Sequence, residues 1–439
     1  MSRTAPEKVH EVIGKNMLAD GLEPIVDLEK SHGSWVHDPI SGRDYLDLFS
    51  CFASMPVGWN HPRVVARKEE LAAAAVNKPT NSDIYSTQMA DFVETFTDIA
   101  KPDYFKYMFF ISGGALAVEN ALKASFDWKY QKELAKGNEI DPNAMKVLHF
   151  EKAFHGRTGY TLSLTNTADP RKTQYFPKFD WPRVSTPAVT FPITAENLSN
   201  AQKLEKKAIN EINEYLEKYP DTIAALIIEP IQGEGGDNHF RDAFMVQLRE
   251  ICDEHDIMFV MDEVQSGVGI TGKFWAHEHF SINPDMIAFG KKSQVCGFMS
   301  TDRIDDVEKN VFHESSRLNS TWGGNIVDMV RFMIYLEIIQ EENLVSHAEQ
   351  KGHYLQEKLL TLKEQHPEMI INPRGRGLMC AFDLPDSETR NTLMQAIWKE
   401  GALILGSGTK TIRFRPHLNV STEEIDQGIE IVKKALTEI

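Results

Sequence analysis

The chain has 439 residues, of which 42% are hydrophobic and 25% charged, with a formal net charge of -17 at pH 7. This composition is that of a globular protein with a large core, and the length is sufficient for two domains. The negative charge argues against a protein that binds nucleic acid or docks on an anionic membrane surface. Without an apolar run near the ~20 residues of a membrane span, we expect neither a transmembrane helix nor a signal peptide. The 4 cysteines are far apart and form no CxxC pair, which favours a reduced, cytoplasmic protein without a metal site.

Short apolar runs alternate with longer amphipathic stretches through the middle of the chain. Strands are predicted, in chain order, for a run that leads from 109 into Gly113, and for 146–150, 223–230, 257–263 and 285–290; helices are predicted for 115–137 and 243–256. Runs that are apolar throughout are typical of strands buried on both faces. The order predicts an α/β fold with a mostly parallel sheet that is covered on both sides.

The last hundred or so residues follow a different pattern. A long helical pattern at 325–366 leads into short strands and a final helix at 422–438. This predicts a second, smaller α+β domain that N-terminal residues complete. The expected division is 1–60 for the N-terminal segment of the small domain, 61–324 for the large domain and 325–439 for the C-terminal part of the small domain.

Two motifs suggest sites that their context does not support. The stretch GVGITGK (267–273) matches G-x-G-x-x-G, but a dinucleotide site needs its glycines directly between a strand and a helix. It also resembles a P-loop, although Phe274 stands where that motif needs Ser or Thr. A flexible loop that closes over a ligand is the preferred interpretation. In HEHF (277–280), an H-x-H spacing on a helix directs the two rings to different faces, which disfavours a metal site.

Polar residues and glycines follow several of the predicted strands. Asp262 ends one apolar run and Lys291 follows the next. Because the carboxyl ends of strands in such sheets form the ligand crevice, we expect this acid and this lysine to face one cleft. Taken singly, each is also explained by a salt bridge or a capped turn. The glycines at 113–114 precede a helix, where main-chain N–H groups can bind a phosphate, and FEKAFHGRTG (150–159) adds an aromatic ring, a histidine and an arginine. Together these groups are what pyridoxal 5′-phosphate requires.

Several longer motifs carry a family resemblance. They are IIEPIQGEGG, MDEVQSGVGITGKFWAHEH, AFGKK, SRLNSTWGGN and IRFRP. Over roughly residues 20–435 the chain resembles the class III aminotransferases among the fold-type I pyridoxal-phosphate enzymes, and it is most similar to their bacterial L-lysine 6-aminotransferase branch. The resemblance implies a large domain with a mostly parallel seven-stranded sheet and a smaller α+β domain.

The resemblance also implies how the cofactor is held. Lys291, 29 positions after Asp262, corresponds to the lysine that binds pyridoxal phosphate covalently, whereas Lys292 is expected to be solvated or paired. Asp262 is expected to pair with the pyridine nitrogen, and Gln265 to bind the phenolic oxygen. The other expected cofactor-binding residues are Val264 and Phe154 on the two ring faces, His155, and Gly114 and Ala115 at the phosphate. Thr321 is expected to reach the phosphate in a neighbouring subunit, which implies a homodimer with shared active sites.

Substrate binding is the last expectation from the resemblance. Arg157 is expected to bind the distant carboxylate and Arg413 the near one, with Glu234 as the switchable partner of Arg413. Arg415 is a competing candidate for the arginine that binds the near carboxylate. The implied reaction transfers the ε-amino group of L-lysine to 2-oxoglutarate. The alternatives are another donor (ornithine, acetylornithine, GABA or a diamine) and a non-catalytic protein that binds the cofactor. Ile270 stands where relatives usually have arginine, and GKKSQVCG replaces the commoner GKALGGG; these departures argue against ornithine, acetylornithine and GABA.

Overall fold

The structure, a computed structural model, describes residues 4–439, and its strands and helices alternate through the middle of the chain. The strands are β1 Trp35–His37, β2 Asp44–Asp47, β3 Phe105–Ile111, β4 Lys146–Phe150, β5 Arg183–Val184, β6 Ile223–Ile228, β7 Ile231–Gln232, β8 Asn238–His239, β9 Met258–Asp262, β10 Met286–Phe289, β11 Cys296–Thr301, β12 Ile371–Arg376, β13 Met379–Asp383, β14 Ala402–Leu403, β15 Leu405–Ser407 and β16 Thr411–Phe414. The α-helices are α1 Val9–Gly14, α2 Ser50–Ala53, α3 Pro62–Ala66, α4 Lys68–Val76, α5 Thr87–Ile99, α6 Gly114–Ala135, α7 Gly159–Leu164, α8 Ala195–Lys218, α9 Asp242–Glu254, α10 Ile326–Glu341, α11 Leu344–Gln365, α12 Ser387–Glu400 and α13 Thr422–Leu436. Short 3-10 helices cover Pro6–Lys8, Pro142–Ala144, Pro170–Lys172, Ala276–His279, Lys291–Ser293 and Asp302–Asp306.

The central sheet has seven strands in the order β3-β11-β10-β9-β6-β4-β5. The neighbouring pairs from β10 to β5 are all parallel. Strand β11 is antiparallel to both of its neighbours, so β3 runs in the same direction as β10. The prediction of a mostly parallel seven-stranded α/β sheet is therefore confirmed.

Both faces of the sheet are buried, as the uninterrupted apolar runs predict. All residues of β6 and β9 are buried. In β6, Leu226 and Ile228 belong to one core cluster, while Ala225 and Ile227 belong to another. Helix α6 packs against β10 and β11 and contributes small buried side chains, which allow a close approach to the sheet.

The N- and C-terminal segments meet in a separate three-stranded sheet, β1-β2-β14, in which β2 and β14 are parallel. A four-stranded antiparallel sheet, β12-β13-β16-β15, completes the C-terminal region. The helical pattern at 325–366 forms two helices, α10 and α11, because the chain turns at Asn343, where φ is +52°. The boundaries at 60 and 324 stay a prediction, and the first three residues of the segment 1–60 lie outside the described residues.

The GVGITGK stretch is a packed loop and not a flexible one, so that interpretation is wrong. Val268 and Ile270 are each 1% exposed, and the main-chain N–H of Leu378 donates to the carbonyl of Ile270 at 2.8 Å. Ile270 is therefore a core residue in this chain. Between residues 4 and 439 no helix is both long and apolar enough to cross a membrane, and the same residues contain no cluster of three or more side chains that could hold a metal ion.

Candidate active site

A cavity of about 300 Å³ lies where the parallel strands end. Asp262 ends β9, Glu229 follows β6 and Lys291 follows β10. Because these strands are parallel, their carboxyl ends meet at one edge of the sheet, as expected for a ligand crevice. The cavity is lined by Gly114, Ala115, Phe154, His155, Gly156, Arg157, Glu229, Glu234, Asp262, Val264, Gln265 and Lys291. Ten of these twelve are residues that the sequence predicted for the site; Thr321 and Arg413 do not line the cavity.

Lys291 presents its amine to the cavity from a left-handed main-chain conformation, with φ +54°. A non-glycine residue in this region is strained, and such strain is often found at functional sites. Burial lowers the pKa of Lys291 below its ordinary value, against the opposing charge of Asp262, and the positive charge of Arg413 lowers it further. A lower pKa increases the fraction of neutral, nucleophilic amine.

Lys292 does not line the cavity. Of the two expectations for it, solvated or paired, the first is wrong. It is 2% exposed, and its Nζ donates to the carbonyls of Gln265 at 2.7 Å and Ala53 at 3.3 Å. Burial lowers its pKa well below the ordinary value, and the neighbouring charge of Lys291 adds to this effect. Ala53 belongs to α2, a turn in which φ is positive at all four residues. Lys292 thus connects this strained turn to the site.

Asp262 and His155 form a buried pair at the base of the cavity. His155 Nδ1 donates to Asp262 Oδ2 at 2.8 Å, and the N–H of Val264 donates to Oδ1 at 3.0 Å. An ionised carboxylate has more lone pairs than these two bonds use, so Asp262 can accept a further N–H from a ligand. The side chain of His155 is fully buried, and its Nε2 has no hydrogen-bond partner within residues 4–439.

Glu229 is a site residue that the sequence reasoning missed. Its carboxylate accepts the N–H of Phe154 at 3.0 Å and that of Gly233 at 3.1 Å. Burial, with the nearby charge of Asp262, raises the pKa of Glu229 to about 7. The signal was available, because Glu229 is a carboxylate at the end of a buried strand, as Asp262 is.

The N-terminus of α6 faces the cavity through Gly114 and Ala115. The residue before the helix, Gly113, has φ +114° and supplies no side-chain cap, so the first N–H groups of this 22-residue helix are available to an anion. Gly156 packs closely beside it: a Cβ at Gly156 would lie 2.5 Å from the Cβ of Ala115. The free N–H groups at this helix end form a cradle that can bind a phosphate.

The opposite wall offers an amide donor and apolar faces. Gln265 Oε1 accepts Arg415 Nε at 3.2 Å, which leaves the Gln265 amide N–H groups free to donate to a ligand. Val264 and Phe154 add an aliphatic and an aromatic surface. An amine, a buried carboxylate, a phosphate cradle, an amide donor and two apolar faces fit pyridoxal 5′-phosphate.

Arg413 forms an ion pair with Glu234, which lines the cavity. Arg413 Nη2 donates to Glu234 Oε2 at 2.8 Å, and Arg413 is 3% exposed. Its Nη1 is buried and has no partner in the described part of the chain, so it keeps a donor for a carboxylate. Arg415 differs, because its guanidinium bonds Asp237, the Phe414 carbonyl and Gln265. These contacts leave Arg413 as the arginine with donor capacity to spare.

Three further residues differ in how they relate to the cavity. Arg157 lines it, is exposed, and has no hydrogen bond or ion pair to its guanidinium within residues 4–439. Thr321 is exposed on the loop before α10 and does not line this cavity. Lys172 was not predicted: its Nζ donates to Glu234 Oε1 and lies 5.7 Å from the centre of the Phe154 ring.

Comparison with known proteins adds to this geometry. The family described as aminotransferase class-III matches residues 18–436. The L-lysine-epsilon aminotransferase of Mycobacterium tuberculosis is 49% identical over 437 residues, which is 99% of this chain and 96% of that protein. The mitochondrial 4-aminobutyrate aminotransferase of Mus musculus is 32% identical and covers 91% of this chain and 82% of its own. A solved structure of the M. tuberculosis lysine aminotransferase in the internal aldimine form superposes with a TM-score of 0.96 at 49% identity, covering 99% of this chain and 100% of that one. The chain belongs to the class III aminotransferase family.

Proposed function

We propose that this protein is a pyridoxal-phosphate-dependent L-lysine 6-transaminase. It transfers the ε-amino group of L-lysine to 2-oxoglutarate, which gives 2-aminoadipate 6-semialdehyde and L-glutamate. The observation that carries the proposal is the Glu234–Arg413 pair at the wall of a cavity that also holds Lys291 and Asp262. The similarity to L-lysine-epsilon aminotransferases supports the choice of donor.

The cofactor-binding roles follow from the cavity lining. Lys291 would hold pyridoxal phosphate covalently through Nζ, and the N-terminus of α6 would bind its phosphate. Asp262 would accept the pyridine N–H, with His155 holding that carboxylate in place at 2.8 Å. When bound, the cofactor supplies an electron-withdrawing ring that delocalises the electron pair of a broken C–H bond.

Lys291 also acts as the proton carrier. Because burial lowers its pKa, its free amine can accept the proton from Cε of the substrate lysine and return a proton at the end of the half-reaction.

Two arginines bind the carboxylates of two dissimilar substrates. Arg157 binds the carboxylate far from the reacting carbon, since its guanidinium has no partner among the described residues. Arg413 binds the near carboxylate of 2-oxoglutarate through the planar fork that suits arginine to this task. For lysine, which has no carboxylate near Cε, Glu234 neutralises Arg413 in place of the substrate. The pKa of Glu234 is raised by burial but lowered overall by Arg413 and Lys172, so the carboxylate is ionised.

We further propose that the enzyme is a cytoplasmic homodimer in which Thr321 binds the cofactor phosphate of the partner subunit. Thr321 is exposed, and the neighbouring Trp322 is 47% exposed. A large exposed aromatic ring beside a polar residue is typical of a surface that a partner covers.

The test is to identify the product that purified holoenzyme forms from L-lysine and 2-oxoglutarate, with ornithine, acetylornithine and 4-aminobutyrate as competing donors. We expect glutamate and a semialdehyde from the ε-amine, and lysine as the best donor. A keto acid from the α-amine, or a higher kcat/KM with another donor, would refute the proposal. Size-exclusion chromatography with light scattering tests the dimer.

A further inference from the structure

The carboxylate of Glu234 contacts two cations from different parts of the chain. Arg413 Nη2 donates to Oε2 at 2.8 Å, and Lys172 Nζ donates to Oε1. Lys172 ends the 3-10 helix Pro170–Lys172, which precedes Glu234 by about 60 residues and belongs to none of the family motifs. The side chain of Glu234 is only 23% exposed, so each counter-charge matters more than it would on the surface.

The main chain at Glu234 is fixed, so only its side chain can move. The N–H of Gly408 donates to the carbonyl of Glu234 at 2.9 Å. The next residue, Gly235, packs so closely that a Cβ there would lie 2.0 Å from the carbonyl oxygen of Lys152. Release of Arg413 therefore occurs by rotation of the Glu234 side chain.

There is space for this rotation on the Lys172 side. A second cavity of about 590 Å³ adjoins the first, and Glu234 lines both. Lys172, Arg390 and Gly408 are among the other residues that line the second cavity. A carboxylate that leaves Arg413 can thus enter this space without losing contact with Lys172.

We infer that Lys172 is the positioning residue that holds Glu234 when an acceptor carboxylate replaces Glu234 on Arg413. This inference rests on the proposed function. With Arg413 occupied by substrate, Lys172 would be the one cation still bonded to Glu234 among the described residues, since Arg390 on the second cavity forms no hydrogen bond or ion pair with it. A part-buried carboxylate without a bonded partner is strongly disfavoured. With Arg413 free of substrate, Glu234 has two partners and the loss of one matters less. Lys172 therefore acts mainly on the acceptor half-reaction.

The first test is Lys172→Met in the holoenzyme, with the two half-reactions measured separately by stopped-flow absorbance. For 2-oxoglutarate we expect KM to rise about tenfold or more with a smaller change in kcat, since a hydrogen bond to a charged group contributes about 1.5–3 kcal/mol and about 1.4 kcal/mol is tenfold. For L-lysine we expect rates within about twofold of wild type, because Glu234 still neutralises Arg413. Lys172→Arg should restore the KM for 2-oxoglutarate.

Two controls separate this role from simple attraction of an anionic substrate. Arg171→Met removes one positive charge from the neighbouring position. The side chain of Arg171 is 81% exposed and pairs with Asp169, so we expect this variant to leave both half-reactions unchanged. In a Glu234→Gln background there is no carboxylate to hold, so the added Lys172→Met change should have no further effect on the KM for 2-oxoglutarate.

Each contrary result has a definite meaning. The inference is overturned if Lys172→Met matches Arg171→Met, if its effect persists in the Glu234→Gln background, or if the lysine half-reaction is lost to the same extent. Transamination of lysine with 2-oxoglutarate by the wild-type enzyme is measured before any variant is made. If the wild-type enzyme lacks this activity, the proposed function itself fails.

Discussion

Gly156→Ala should weaken cofactor binding by disturbing the phosphate cradle. A Cβ at this position would lie 2.5 Å from the Cβ of Ala115 and 3.0 Å from its Cα. Since carbon atoms pack comfortably at about 3.5 Å, the loop or the start of α6 must move by about 1 Å. The φ of +117° at Gly156 adds strain for any other residue. Typical penalties are about 1–3 kcal/mol for the overpacking and about 1–3 kcal/mol for the strain.

The overpacking falls on the N–H groups expected to bind phosphate, so we expect the Kd for pyridoxal phosphate to rise about tenfold or more. The assay is titration of the apoprotein with the cofactor, followed by absorbance. Two glycines serve as matched controls. Gly159→Ala, whose added Cβ would lie 3.6 Å from Glu119 Oε1, should bind as wild type does. Gly137→Ala has φ +86° and nothing within 4 Å, so it should lose stability but not affinity. Wild-type cofactor affinity in Gly156→Ala would refute the reasoning.

Three further variants test other parts of the site. Lys291→Ala should remain folded but lose turnover by several orders of magnitude, and borohydride should no longer fix the cofactor to the chain; labelling of another lysine would contradict the assignment. Arg157→Met should raise the KM for both substrates about tenfold or more, because both use this arginine for the far carboxylate; a change for only one substrate would be contrary. Lys292→Met should flatten the pH dependence of stability. Since burial lowers the native pKa of Lys292 well below 10.5, the unfolded chain binds more protons than the native protein at pH values between the native pKa and 10.5, and wild-type stability should rise with pH there relative to the variant. The difference in slope is at most about 1.4 kcal/mol per pH unit. It is measured by urea denaturation of the apoproteins at several pH values, and parallel curves for the two proteins would contradict the reasoning.

The sheet and most of the site could be predicted because local pattern determines them. Buried strands have a distinctive apolar run, and parallel strands present their carboxyl ends at one edge of a sheet. These two rules are enough to place Asp262 and Lys291 in one cleft from the sequence alone. The family motifs supplied the other lining residues. Glu229 was within reach of the same rules and was overlooked.

The remaining contacts depend on tertiary structure that no local pattern contains. The carbonyl of Ala53 that accepts from Lys292 is 239 residues away in sequence. The pair between Lys172 and Glu234 spans 62 residues and depends on how two loops fold. Ile270 occurs in a glycine-rich stretch whose sequence suggests a mobile loop. The burial of its side chain and the hydrogen bond from the Leu378 N–H to its carbonyl show that the loop is part of the core.

The pairing of β2 with β14 has a consequence for biosynthesis. Leu46 pairs with Ala402, which is 356 residues later in the chain (402 minus 46). At ribosomal rates of about 5–20 residues per second, the early strand waits roughly 20–70 s for its neighbour. During that interval the apolar side chains of Leu46 and Leu48, which are 0% and 2% exposed in the finished fold, have no permanent cover. These side chains are therefore an aggregation-prone surface of the nascent polypeptide until its last strands are made.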